Sequence, residues 1–288
     1  MTATTAIATS VPSARLTFAG ILRSEWIKLT SLRSTVWSYA LIVLLSIGFG
    51  LLMASTFNAG IDESGQPAEL NATGARTITL MICTAGLMVG QLIAAVLGVL
   101  VMSGEYSTGM IKSTLAAVPK RLPVLCAKAI VLFVSTTLVG LVTVFLVFAV
   151  TAPVRIERGI DADLGDPALL LALIGGAVYL GLVAVFALGV GTVVRSSAGG
   201  IAVALGVMLV LPVLVQMLAS VADWARAIMP ALLSNAGQAM FAIPQPLPAG
   251  VDAGPGSPLP PVAATLVVLA WAVVALVLGA ITLRRRDA

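Results

Sequence analysis

Apolar and polar stretches alternate along this chain on the scale of a lipid bilayer. Six runs with few or no charges occupy residues 36–54, 79–102, 124–150, 168–194, 199–218 and 262–283. A helix crosses a hydrocarbon core in about 20 residues, so each run is long enough to span. Lys128 is the one charge inside any of them. It stands about a turn from the start of its run, where a snorkelling stem would carry the ammonium to the headgroups. The pattern predicts an all-α integral membrane protein, with a six-helix transmembrane domain over residues 36–283.

The connections fix the expected orientation. With the N-terminus inside, the inner segments hold Arg15, Arg23, Lys28, Arg33, Lys112, Lys120, Arg121, Lys128, Arg195, Arg284, Arg285 and Arg286. The outer segments hold only Arg76, Arg155, Arg158 and Arg226, while every acidic residue except Glu25, Glu105 and Asp287 falls outside. Basic residues favour the cytoplasmic side, so both termini are expected there. Residues 195–198 predict a tight inner hairpin. The last outer connection has two parts. Residues 221–243 carry Trp224, Ile228, Leu232 and Phe241 around Pro230, and either dip into the membrane or form an ordinary outer helix pair. Residues 244–261 are rich in proline and glycine.

Two inner segments have a pattern of their own. Residues 1–14 hold no basic residue ahead of an apolar core, so they predict a disordered cytoplasmic tail rather than a signal peptide. Residues 15–35 predict an interfacial amphipathic helix, in which Phe18, Leu22, Trp26, Leu29 and Leu32 recur at helical spacing. Arg23, Glu25 and Lys28 belong to the same segment, and 284–288 is a basic cytoplasmic end. Between the second and third spans, Ser107 or Thr108 can cap a short helix that Pro119 ends. Ile111, Leu115 and Val118 share one side of it, with Met110 beside them. An apolar peg in water needs a cover, either a partner or the membrane surface. An ion pair from Glu105 to Arg23, Lys28 or Arg33 could brace that peg.

Composition agrees and narrows the chemistry. Hydrophobic residues make up 59% and charged residues 10% of 288, too few charges for a soluble surface. There is no histidine, and no paired intramembrane acids or serine elbow, so no catalytic or metal constellation stands out. Cys83 and Cys126 read as small hydrophobes. Gly104 and Gly109 before Lys112-Ser113 mimic a phosphate loop, but Met110 and Ile111 intervene and no buried strand precedes it. Gly86 with Gly90, and Ala177 with Gly181, are spaced for close helix packing. Gln91 and Gln216 are the most polar intramembrane side chains, and Pro212 should kink the fifth span.

The string "EYSTGMIKSTLAAVPKR" at 105–121 resembles the cytoplasmic loop of actinobacterial ABC-2 type transport permeases. "LRSEWIKLTSLRSTVW" at 22–37 resembles their N-terminal interfacial segment. The resemblance implies a membrane subunit of an ATP-binding-cassette exporter in the bacterial cell membrane, paired with a second permease chain, identical or not. It implies no cofactor in this chain, ATP and Mg being bound by a separate ATPase subunit. By position, Glu105, Tyr106, Ser107, Thr108, Gly109, Met110, Ile111 and Lys112, with Leu115 on the peg, would couple to that ATPase. The rival expectations are a secondary carrier or channel not driven by ATP, and a membrane-embedded enzyme.

Overall fold

The computed structural model describes residues 17–57, 71–110, 114, 116, 121–160, 162–244, 254 and 256–285. Every regular element among them is helical. The predicted tail over 1–14 lies outside these residues. A leading helix, α1 (Phe18–Ser31), is capped by the Thr17 hydroxyl, which accepts from the Gly20 N–H at 3.2 Å. At Leu32 the backbone turns extended, and α2 (Arg33–Thr56) begins at once. The interfacial helix is therefore shorter than predicted, and Arg33 and Ser34 belong to the first span.

The second span is interrupted. It runs as α3 (Ala72–Thr84) and α4 (Leu87–Ser107), broken at Ala85–Gly86. The third, α5 (Arg121–Glu157), reaches seven residues past the apolar run that ends at 150. Arg155, expected in an outer loop, is thus helical and buried. Its guanidinium donates to the Phe148 carbonyl at 3.1 Å and lies 4.2 Å from the ring of that residue. The fourth span, α6 (Pro167–Val194), starts at the Asp166 cap and ends at Arg195 in a left-handed conformation.

The fifth span joins α7 (Ser197–Leu205) to α8 (Leu211–Leu218) through a π-helical segment, Gly206–Val210. Pro212 explains the irregularity. It has no N–H for the carbonyl four residues back, that of Met208. The Ser234 hydroxyl donates to that carbonyl instead, at 2.7 Å. Ser234 comes from the last connection, which folds as α9 (Asp223–Ile228), a 3-10 turn and α10 (Leu233–Met240). The last span is α11 (Pro261–Arg285).

Three contacts set the depth of α10. Ser234 meets Met208, Gly237 lies against Tyr179 of α6, and Trp271 Nε1 of α11 donates to the Ala231 carbonyl at 2.9 Å. Each partner stands ten or twelve residues from the nearer end of its helix, roughly 15–18 Å along the axis. Residues of the last connection thus dip between the spans, covered by protein as backbone at that depth must be.

α6 is the centre, buried along most of its length and packed on α4, α5 and α11. Small residues permit this closeness. Gly98 of α4 faces the Ala184 carbonyl, Gly140 of α5 faces Ala177, and Gly189 of α6 faces Ala275 of α11. Lipid tails are as apolar as leucine, so close dispersion contact holds the helices. Gly86 lies tight against Ser46 of α2, and Gly181 against Thr137 and Phe133 of α5. A Cβ on Gly98 would collide with backbone, whereas one on Gly48 of α2 would meet nothing within 4 Å. Gly98→Ala should cost about 1–3 kcal/mol through forced separation of α4 and α6, read as a lower unfolding temperature in detergent. Gly48→Ala should leave that temperature unchanged or raise it.

Candidate functional site: a buried charge knot

Because six spans are an even number, the start of α2 and the end of α11 lie at one end of the bundle, where α1 also packs. This is the basic end. Here α1, α4 and α5 meet around four charges. Along α1 the side facing the bundle is Ile21, Glu25 and Leu29, four residues apart. Phe18, Trp26 and Leu32, expected on one face with Leu29, are exposed, as are Arg23 and Ile27, while Leu22 is partly buried. The helix thus presents one side to protein and another outward.

Lys128 of α5 does not snorkel. It is only 4% exposed, and its Nζ donates to Glu25 Oε2 at 2.6 Å and to Glu105 Oε1 at 2.9 Å. Two carboxylates hold it in place. Lys28 of α1 donates to Glu25 Oε1 at 2.9 Å and to Glu105 Oε1 at 3.1 Å. Of the three cations weighed for Glu105, the structure selects Lys28; Arg23 and Arg33 are exposed. Lys28 also donates to the Thr114 hydroxyl at 3.3 Å, so the knot reaches the loop helix. Two carboxylates and two ammoniums sum to zero charge, which is how such groups tolerate burial.

Burial alone would push the Glu25 carboxyl up, but Lys128 and Lys28 outweigh it and hold it below the ordinary 4.5. Burial would likewise pull the Lys28 ammonium down, yet Glu25 and Glu105 outweigh that and raise it above 10.5. One atom of the knot is left over: Glu105 Oε2 is buried without a hydrogen-bond partner.

The loop beyond Glu105 differs from expectation. Ser107 is the last residue of α4 and Thr108 its C-cap, the Thr108 hydroxyl donating to the Gly104 carbonyl at 2.8 Å. Neither caps the next helix. Gly109 has φ +71°, the left-handed turn that ends helices, and Met110, 43% exposed, begins a new helical stretch. Thr114 and Ala116 are helical, while Ile111, Lys112, Leu115 and Val118 lie outside the described residues. So the proposed coupling residues divide. Glu105 and Tyr106 face inward, Tyr106 beneath the Arg195 guanidinium at 5.0 Å. Ser107, Thr108, Gly109 and Met110 face out.

Further ties close this end. Arg121 donates to the Leu283 carbonyl at 2.7 Å and Arg195 to that of Thr282 at 3.2 Å. Both satisfy carbonyls left free at the C-terminus of α11. Gln91 accepts a hydrogen bond from Tyr179, whereas Gln216 is exposed on α8. Cys83 and Cys126 are free, and no metal-holding cluster occurs among the described residues.

A family model described as ABC-2 family transporter protein matches residues 19–288. No curated protein matches the chain.

Lys128→Met leaves Glu25 and Glu105 to share Lys28 alone, two buried carboxylates on one ammonium, and breaking a buried pair costs about 3–5 kcal/mol. The unfolding temperature should drop, and adding Glu25→Gln should recover part of the loss. A single variant as stable as wild type would refute the burial. Acid tests the same contacts. The stabilisation from Glu25, whose value is lowered by folding, is present above 4.5 and lost as pH falls through the lowered value. That from Lys28, whose value is raised, is present below 10.5 and lost as pH rises through the raised value. Protection of the α1 backbone from trypsin or exchange should therefore be flat between these limits and fall beyond them.

Proposed function

The chain belongs to the ABC-2 transporter family, and on that premise we propose that it is the membrane subunit of an ATP-binding-cassette exporter. A separate ATPase subunit would bind ATP and Mg and supply the energy, and this chain would provide the path. A second permease chain, identical or not, would complete the transporter in a bacterial cell membrane. The basic end is then cytoplasmic, in keeping with its concentration of arginine and lysine.

The observation that carries this reading is where the knot stands. It clamps α1, α4 and α5 at the base of the turn that exposes Met110. A push on the loop helix meets Lys28 through Thr114 and Glu105 through α4. It would therefore move three helices as one body instead of bending a single loop. In this reading Glu105 and Tyr106 brace the coupling element, and Ser107, Thr108, Gly109 and Met110, with Ile111, Lys112 and Leu115, form its docking side. The chain itself performs no catalysis.

A gradient-driven carrier would need titratable groups near the middle of its spans. The buried charges among the described spans instead lie near their two ends, Glu105 and Lys128 at one and Arg155 at the other.

Met110→Asp combined with Leu115→Asp places charge on the docking side and leaves all four charged residues of the knot in the sequence. The double variant should insert normally, yet recover the co-expressed ATPase subunit at least about tenfold less well on purification, a loss of 1.4 kcal/mol or more. Unchanged recovery would overturn the assignment of this loop.

A further inference from the structure

Beside the knot, between α1 and the inner parts of α4 and α5, lies a cavity of about 430 Å³. That is within the range of roughly 300–1,000 Å³ typical of small-molecule sites. Its wall is apolar, built by Leu29, Leu100, Val101 and Leu132, and its charged edge is Lys28 and Glu105.

The edge specifies the chemistry of an occupant. The Lys28 ammonium has three donors and already meets three acceptors: Glu25 Oε1, Glu105 Oε1 and Thr114 Oγ1. No donor of Lys28 remains for a phosphate. Lys128, which also lines the cavity, meets two acceptors and keeps one donor. Beside it stands one unmet acceptor, since Glu105 is 95% buried and its Oε2 has no partner. A buried carboxylate oxygen without a donor carries a desolvation cost until one arrives. The ligand must therefore bring N–H or O–H groups, and against a carboxylate an ammonium makes the stronger bond.

Depth specifies the rest. Val101 and Leu100 stand four and five residues from Glu105 along α4, about 6–7.5 Å deeper into the bundle. An ammonium at Glu105 thus sits directly above an apolar slot. Trp26 of α1 and Trp37 near the start of α2 are exposed, as aromatic rings are at the headgroup layer. Ser34 also lines the cavity and is exposed, available to a neighbouring phosphate.

We propose that this cavity holds one membrane phospholipid with a primary-amine headgroup, a phosphatidylethanolamine. Its ammonium donates to Glu105 Oε2, and its upper chain lies along Leu100, Val101 and Leu132. Such a lipid completes the hydrogen bonding of the knot and wedges the angle between α1 and the spans. A choline headgroup has no N–H and cannot do the same. The assignment needs only that the basic end lies at a bilayer surface, so it stands or falls apart from the ATPase reading.

The test is native mass spectrometry of the full chain reconstituted with equal dioleoylphosphatidylethanolamine and dioleoylphosphatidylcholine. One ethanolamine lipid should stay bound, favoured over choline by roughly tenfold, the order of one charge-assisted hydrogen bond. Val101→Trp fills the slot and should erase that preference while the chain stays folded by its unfolding temperature. Equal retention of both lipids by the wild type overturns the proposal whatever the variant does, as does an undiminished preference in a folded Val101→Trp protein. A dodecylamine arm separates lipid from free amine. Displacement of the bound lipid by dodecylamine supports the ammonium site, and retention of dodecylamine without any retained ethanolamine lipid overturns the lipid assignment.

Discussion

A lysine one turn inside a membrane span can stay charged in two ways: by reaching back to water, or by being enclosed in carboxylates. Lys128 takes the second, and the rest of the basic end follows from that choice. Its two carboxylates come from different helices, Glu25 from α1 and Glu105 from α4. Dispersion between apolar helices in lipid is nearly indifferent to small changes of register. Charges at 2.6–3.1 Å are not. The knot therefore sets where α1 lies against the bundle, at a level of specificity that Ile21 and Leu29 alone could not reach. Lys28 adds a second cation to the same carboxylates, so neither acid depends on Lys128 alone.

The small-residue contacts of α6 carry that placement inward. Gly98 on Ala184 and Gly140 on Ala177 bring main chains together with no flexible side chain between them. Packing of this kind resists sliding, because any shift drives backbone into backbone. Tyr179 then joins α6 to Gln91 of α4 and supports Gly237 of α10. From the knot to the opposite end, α4, α5, α6 and α11 behave as one close-packed block.

Much of this could be read from the chain, and the limit was set by distance in sequence. The six runs and the family resemblance rest on local composition and short strings, and the six apolar helices and the family match agree with them. Lys28 was among the cations considered for Glu105 because few candidates exist at that end. The role of Lys128 was missed because its partners stand 103 and 23 residues away. One signal was present. Glu25 and Glu105 are the only acids at the basic end before Asp287, and a lone in-span lysine asks for an acid. Glu25 also sits four residues from both Ile21 and Leu29, on the packed side of α1. The grouping of Phe18, Trp26 and Leu32 followed a valid helical period, but an interfacial helix has two apolar environments, and periodicity does not say which side meets protein. The depth of α10 was likewise beyond local pattern, since it hangs on Ser234 finding a carbonyl 26 residues earlier.

The block has a thin side. α2 and the α7–α8 span are the least buried of the six, against the nearly enclosed α6. The α7–α8 span is also the one whose hydrogen-bond ladder is broken, at Gly206–Val210. Its Met208 carbonyl is held by a side chain, Ser234, and a hydroxyl can let go and re-form where a backbone ladder must shift as a unit. Contiguity between the knot and this span is not by itself coupling, which requires an element with two arrangements that both ends can bias. Among the described helices, the π-helical segment is built like such an element, and the tightly packed core places it where a displacement of the block would be felt. The architecture thus separates two jobs: charge and close packing make one part rigid, and a proline-relieved ladder leaves another part free to respond.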